Sequence, residues 1–228
     1  MISALNTMLP TFCTTWSLKK YMCIAAPANT KPGVNGLYCV FLDTSTSAGA
    51  LAFHTENANI PYGNIFVKTI LKYGGAIQMG ANNKVPTVAQ AFAHEILEML
   101  VNPNVNVWWQ QSSGTLVPAE VCDPVQGNIV PVKVGTVTVG LSDYVLPAWS
   151  DPQSTSGPYN LLNTLRRPFE MAKGGYLVTM KGGAISNVYG VTASPFIQYR
   201  AEAVTNYINE KYSSAVTVVN SATTITAL

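Results

Sequence analysis

Residues 87–103, TVAQAFAHEILEMLVNP, constrain the fold most strongly because they carry the clearest helix pattern in the chain. Thr87 directly follows Pro86, and a threonine in that position is a good N-cap for the first helical turn. Apolar residues then recur at helical spacing, at Ala91, Phe92, Ile96, Met99 and Leu100. Asn102 ends the pattern, since the following proline disfavours helical geometry in the residue before it. We therefore predict a buried helix around which the rest of the chain is organised.

This predicted helix also carries the densest group of ionisable residues. His94 and Glu98 are four residues apart and share one helix face, and Glu95 lies beside that face. The spacing matches the H-E-x-x-H helix of zinc enzymes, in which two residues bind the metal and the glutamate activates water. Glu98 replaces the second histidine, and a carboxylate is an accepted zinc ligand. We expect His94 and Glu98 as metal ligands and Glu95 as the catalytic base.

A catalytic zinc site needs three protein ligands, so a further ligand must come from outside the helix. Glu120 is our first choice, because 22 residues after Glu98 leave room for a loop and one returning strand. Asp123 is a second ligand or a group that orients one, and His54 is the other available imidazole. Asp143 is a further candidate for an orienting carboxylate.

The alternative is a buried cluster of His and Glu side chains held by hydrogen bonds without any metal. A lone HExxE pattern is weak evidence. The metal interpretation is favoured because these acids are a large share of the 11 in the chain and fall in apolar segments. Burying carboxylates there is costly unless a cation or hydrogen-bond donors compensate.

The remaining sequence predicts strands on both sides of the helix. Residues 36–43 are nearly continuous in apolar residues and predict an interior strand, and residues 50–55 predict a second strand. Residues 128–140 have the clearest β pattern, with Gly135 at a turn or bulge, so the C-terminal half is expected to be β-rich. Residues 1–28 have no clear period and are predicted to be irregular, and residues 196–211 predict a terminal helix.

The 228 residues predict a single domain, because no linker separates two compositions, with residues 1–30 and 212–228 as extended, interaction-prone termini. Only 11% of residues are charged, well below the usual ~25%, which is typical of secreted proteins and of subunits in large assemblies. An ordinary enzyme with an unusual surface is the alternative. The four cysteines match no zinc-ribbon spacing and are read as free thiols, with a Cys13–Cys23 disulfide as the alternative.

Several classes are disfavoured by the same composition. The net charge is +2 and the basic residues do not form a patch, so we expect no direct nucleic-acid binding. No apolar run reaches the ~18 residues of a membrane span. No signal peptide is apparent at the N-terminus.

Four segments in order, AHEILEMLVNP, AEVCDPV, LSDYVLPAW and RPFEMAKGGYLV, resemble a largely uncharacterised family of phage and bacterial proteins. That family carries H-E-[VI]-L-E-M-L-x-[DN]-P, E-V-C-D-P and V-S-D-[FY]-V-x-P-x-[WY], and the resemblance covers residues 36–178. Its helix is similar to that of zincin-type metallopeptidases. The resemblance implies an α+β fold with a zincin-like mixed sheet on the active-site helix, residues 50–55 lining a cleft, and a metal bound by His94, Glu98 and Glu120.

Two functions follow as expectations. The first is a phage virion-associated protein with a zinc-dependent, peptidase-type site acting on a peptide substrate. The second is a purely structural capsid, neck or tail protein that keeps the scaffold without turnover and contacts other virion proteins or further copies of itself. Either function predicts a virion or extracellular location. Carbohydrate binding through Trp108, Trp109 and Trp149 is a third and weaker expectation.

Overall fold

The computed structural model describes residues 1–27, 30, 32–33, 36–45, 50–79 and 86–190, and these contain both helices and strands, consistent with the predicted α+β class. The described helices are α1 (Ile2–Thr15), α2 (Val67–Lys72), α3 (Val88–Val101) and α4 (Pro147–Ser150), with a 3-10 turn at Asp123–Val125. The described strands are β1 (Tyr38–Leu42), β2 (Ala52–Asn57), β3 (Ile60–Phe66), β4 (Trp108–Gln110), β5 (Leu116–Pro118), β6 (Ile129–Val134), β7 (Val137–Ser142), β8 (Tyr176–Lys181) and β9 (Ala184–Tyr189).

These strands form three sheets. The first is mixed, with the order β1-β3-β2, in which β3 runs parallel to β1 and antiparallel to β2. The second is antiparallel, with the order β4-β5-β8-β9. The third is the β6-β7 hairpin, whose turn contains Gly135 at φ 59°, a left-handed conformation that glycine adopts readily. The strands after α3 make the described part of the C-terminal half, up to residue 190, rich in β structure.

The central helix is α3, and its start and end confirm the prediction from the sequence. The Thr87 hydroxyl accepts a hydrogen bond of 2.9 Å from the Gln90 backbone N–H, and Asn102 is the C-cap. The helix packs against β2, β3 and β7, and every residue from Val88 to Leu100 is buried. Its polar side chains are therefore as enclosed as its apolar ones, and each needs a partner inside the protein.

The first segment corrects the prediction that residues 1–28 are irregular and extended. Residues 2–15 form α1, and the helix buries pairs of residues at helical spacing: Ala4, Leu5, Met8, Leu9, Phe12 and Cys13. Pro10 and the threonines around it hide this pattern in the sequence. Residues 18–27 contain no helix or strand, and the Asn6 side chain bonds both the N–H and the C=O of Cys23.

The strand predicted over residues 36–43 is present as β1, but the prediction that it is interior is wrong. It forms an edge of the mixed sheet, and Val40 and Phe41 are 37% and 43% exposed. A run of apolar residues does not distinguish an edge strand from an interior one, because the difference lies in its neighbours. The predicted terminal helix over residues 196–211 and the tail 212–228 lie outside the described residues.

Trp149, one of the three tryptophans considered for carbohydrate binding, packs in the core rather than on the surface. Trp149 is fully buried, its indole N–H donates a 2.7 Å hydrogen bond to the Glu170 carbonyl, and its ring packs against Trp109 and Phe169. Trp109 also stacks on Trp16 at 5.8 Å between ring centroids. Trp149 is therefore not an exposed sugar-binding aromatic, whereas Trp108 and Trp109 are only partly buried.

Candidate metal centre

Six of the seven side chains selected from the sequence meet at one place in the fold. The strand β2 supplies His54, and α3 supplies His94, Glu95 and Glu98. The segment after β5 supplies the last two acids. All six are buried, and the most exposed of them, His54, is only 6% exposed. The set is His54, His94, Glu95, Glu98, Glu120 and Asp123.

The first part of this cluster surrounds His94. Its Nε2 lies 3.0 Å from Glu98 Oε2 and 3.1 Å from Asp123 Oδ1. Zinc bonds of about 2.0–2.1 Å in tetrahedral geometry place ligand atoms about 3.3 Å apart. Both separations from His94 are close to those of ligands around one ion, and the set containing His94 whose ligand atoms all lie within 4.8 Å of one another is His94, Glu98 and Cys122. Asp123 Oδ1 is buried and accepts no hydrogen bond from a residue that the structure describes.

The second part of the cluster surrounds His54. Its Nδ1 lies 3.3 Å from Glu95 Oε2 and 3.9 Å from Glu98 Oε2. Its Nε2 lies 3.2 Å from the Asn102 carbonyl oxygen. A carbonyl accepts hydrogen bonds and cannot donate them, so Nε2 carries the proton of this contact. The carboxylate-facing Nδ1 is thereby the ring atom available to a proton or a cation.

The two acids of the AEVCDP segment lie on opposite sides of the cluster, and the one beside His94 is not the one that was the first choice. Asp123, the alternative ligand, lies against His94, whereas Glu120, the first choice, lies on the His54 side. Glu120 Oε1 accepts a 3.1 Å hydrogen bond from the Asn102 side chain, and its Oε2 is 3.7 Å from His54 Nε2. Asp123 rather than Glu120 therefore lies beside His94 and Glu98.

Asp143 lies apart from this cluster, and its partners contrast with those of the six. Its carboxylate accepts hydrogen bonds from the side chains of Asn128 and Asn160, at 2.8 and 2.6 Å, and from the backbone N–H groups of Tyr144 and Leu162. Burial raises the pKa of Asp143, and these four donors oppose that shift. This carboxylate needs no cation, so we assign it a structural role.

The electrostatics of the cluster are dominated by burial and by repulsion among carboxylates. Burial raises the pKa of Glu120 to about 8; the nearby His54 opposes this, and the other acids add to it. Burial and Asp123 likewise raise the pKa of Glu98. Burial lowers the pKa of His54, but Glu120, Glu95 and Glu98 together outweigh it and raise that pKa to about 9. Without a cation, the cluster holds protons that an exposed cluster would release.

Three residues near the site were not selected from the sequence. Cys122 has its Sγ within 4.8 Å of ligand atoms of His94 and Glu98, and its backbone N–H donates to Glu98 Oε1 at 3.1 Å. Asn102 contacts both His54 and Glu120. A Cβ on Gly63 would lie 3.6 Å from the Glu95 Cβ, an ordinary contact, and 3.2 Å from the Cys39 sulfur on β1, a tight one, so glycine there chiefly relieves the contact between β3 and β1.

The signals for these residues were weak in the sequence. Cys122 was read only as a free thiol, and all four cysteines are indeed free, so the alternative Cys13–Cys23 disulfide is not formed. Asn102 was read only as the end of a helix. The one sequence signal for Cys122 is that it directly precedes Asp123, a candidate ligand.

The comparisons with known proteins add no relative: the chain matches no protein family, no curated protein and no solved structure. Membership of the phage and bacterial family that it resembles therefore stays a prediction. None of the helices within the described ranges is long and apolar enough to cross a membrane.

Proposed function

We propose that this protein binds a divalent metal ion, with zinc as the first choice, and that the ion stabilises the fold of a phage virion-associated protein. The proposed ligands are His94, Glu98 and Asp123. The observation that carries the proposal is the burial of their carboxylates. The ionic contacts of Glu98 and Asp123 among the described residues are to histidines, with no lysine or arginine.

The donor set fits zinc chemically. Imidazole nitrogen and carboxylate oxygen are ordinary zinc ligands, and the nearby Cys122 sulfur is another. Uncompensated burial of a carboxylate is strongly unfavourable, and a bound cation offsets that cost for several groups at once. The Cys122 N–H that bonds Glu98 Oε1 leaves Oε2 to face His94, which orients the carboxylate for binding.

The direct test is metal analysis of the purified, full-length protein, followed by thermal unfolding with and without a chelator. We expect zinc at a fixed ratio to protein and a lower unfolding temperature after chelation. His94→Ala should lose the metal. Metal-free protein that gains no stability from added zinc would contradict the proposal.

The virion assignment is supported by the scarcity of charge and by the family resemblance. A low charge content suits a subunit whose surface is covered by neighbours, so we propose other virion proteins or further copies of this chain as its partners. Quantitative mass spectrometry of purified particles tests this proposal. A fixed copy number per particle is expected, and detection only as a free monomer outside particles would contradict it.

A metal-dependent peptidase is the second candidate function. It is favoured by Glu95, which adjoins the proposed ligand His94, and by β2, which is an edge of the mixed sheet and packs on α3. This arrangement is what a zincin-like fold would provide, because an edge strand can pair with an extended peptide. A bound metal would polarise the scissile carbonyl, and Glu95 would accept a proton from the attacking water.

The burial of the cluster favours the stabilising role over turnover, since a peptide must reach the reacting groups. Hydrolysis of an unstructured protein substrate tests the second candidate. Glu95→Gln should abolish hydrolysis while the metal bound at His94 is retained. An unchanged rate would remove Glu95 from the catalytic role, and no hydrolysis by the zinc-loaded wild type would leave the stabilising role alone.

A further inference from the structure

We propose that the cluster holds two divalent cations rather than one, with the second ion between His54, Glu95 and Glu98, and with Glu98 shared by both. This inference rests on the proposed metal binding at His94. It assigns His54 and Glu95 as ligands of a separate ion, in a position that the zincin-like expectation leaves without metal.

The orientation of His54 is that of a metal ligand. Histidines that bind metals nearly always donate the proton of the other ring nitrogen to a carbonyl or carboxylate. Here His54 Nε2 faces the Asn102 carbonyl oxygen, and its Nδ1 faces Glu95 Oε2. An ionised carboxylate cannot donate to a lone pair, so either a proton on Nδ1 or a cation must lie between the last two atoms, and a cation at this place would take up both.

The distances permit an ion at that place. His54 Nδ1 lies 3.3 Å from Glu95 Oε2 and 3.9 Å from Glu98 Oε2. Bonds of about 2.1 Å with angles between 90° and 130° separate ligand atoms by about 3.0–3.8 Å, so the 3.3 Å contact lies within this range and the 3.9 Å contact just beyond it. The ligand atoms of His54, Glu95 and Glu98 all lie within 4.8 Å of one another, and the same holds for His94, Glu98 and Cys122.

Glu98 is the residue common to both groups. One oxygen, Oε2, lies 3.0 Å from His94 Nε2 and 3.9 Å from His54 Nδ1. The other oxygen is held by the Cys122 N–H. A carboxylate oxygen between two imidazoles from different elements is the arrangement of a bridging ligand, and paired ions in such sites lie about 3.5–4 Å apart.

The charge of the cluster also favours two ions. Glu95, Glu98, Glu120 and Asp123 carry four negative charges when ionised, and two divalent cations balance them. One cation leaves two carboxylates to be neutralised by protons. Glu120 Oε2 is buried and accepts no hydrogen bond from the described residues, so an acceptor on the His54 side is still open. Nitrogen and oxygen ligands of this kind suit zinc or manganese.

The number of bound ions tests the inference directly. The full-length protein is stripped with a chelator, reloaded with zinc chloride and weighed by native mass spectrometry. We expect two zinc ions in the wild type and one in His54→Gln. Asp143→Asn is the matched control, because it removes the charge of a buried carboxylate outside the cluster, and it should keep two ions.

The outcomes separate this inference from the proposed function. One ion in both the wild type and His54→Gln would refute the second site and leave the first intact, whereas no ion in the wild type would refute both. If His54→Gln fails to fold, Glu95→Gln, which preserves side-chain shape, takes its place. In the manganese-loaded wild type, electron paramagnetic resonance should show two coupled ions, and two uncoupled ions would refute the bridge through Glu98.

Discussion

The substitution Asp123→Asn should raise the stability of the metal-free protein and reduce the additional stability that bound metal provides. Asp123 Oδ1 and Glu98 Oε2 lie 3.1 Å and 3.0 Å from the same His94 nitrogen. In metal-free protein they are two like-charged groups, and the charge of Asp123 is one cause of the raised pKa of Glu98. In metal-loaded protein the same two oxygens are ligands, and the loss of either weakens the site.

The size of each effect follows from this geometry. The two oxygens are at most about 6 Å apart, where repulsion between full charges at an effective dielectric constant of 20 is about 3 kcal/mol. Partial protonation of Glu98 reduces this, so we expect the metal-free variant to gain about 1–3 kcal/mol. Losing one ligand should weaken metal binding at least as much as losing an orienting group, which is about 10–100-fold, or about 1.4–2.7 kcal/mol.

Calorimetric unfolding with excess zinc and with excess chelator measures both effects. For a chain of this size, 1 kcal/mol shifts the unfolding temperature by about 2–4 °C. The variant should therefore unfold at a higher temperature than wild type in chelator, and zinc should raise its unfolding temperature by about 3–10 °C less than it raises that of wild type. Asp143→Asn, which loses hydrogen-bonded partners, should be destabilised in both conditions. An equal rise on adding zinc for Asp123→Asn and for wild type would refute the metal argument.

Three further predictions concern stability. Thr87→Ala should cost about 1 kcal/mol, because it removes the side-chain cap of α3, and thermal unfolding should show an equal loss with or without metal. Phe12→Ala should cost about 3–5 kcal/mol in denaturant unfolding, because its ring is fully buried; a loss below 1 kcal/mol would contradict the packing of α1. In chelator, the free energy of unfolding should fall as pH rises from 5 to 9. The folded-state pKa values of Glu120 and His54, about 8 and about 9, lie above their unfolded values. The folded state therefore holds more protons than the unfolded state over this range, and it loses stability as they are released. Unfolding curves at pH 5, 7 and 9 check this sign, and stability that rises over the range would contradict it.

The sequence was sufficient where one local rule determines the structure. The N-cap at Thr87 and the proline after Asn102 set the two ends of α3, and the four-residue spacing set His94 and Glu98 on one face. It was insufficient for α1, where a proline in the helix and scattered threonines interrupt the apolar pattern. That helix is stabilised by packing of its buried side chains, which no local rule reports.

The choice between Glu120 and Asp123 illustrates a different limit. Both acids follow α3 at a distance that permits return to His94, and separation along a chain does not give direction. Asp123 begins a 3-10 turn and reaches His94, whereas Glu120 is held by the Asn102 side chain on the other side of the cluster. The Asn102 side chain is itself held in place, because its oxygen accepts hydrogen bonds from the backbone N–H groups of residues 106 and 107.

The position of the cluster favours a stabilising role for the proposed ion over a catalytic one. It joins β2, α3 and the segment after β5, which are far apart in the sequence, so an ion bound there would link them much as a cross-link does. Four of the 11 acidic residues of the chain lie in this buried cluster. Because removal of the proposed ion would leave those charges to be balanced by protons in the core, we expect the ion to stabilise the fold whether or not a substrate binds. Peptide hydrolysis would additionally require the elements that cover His94 and His54 to move apart, and that movement would expose the proposed ligands.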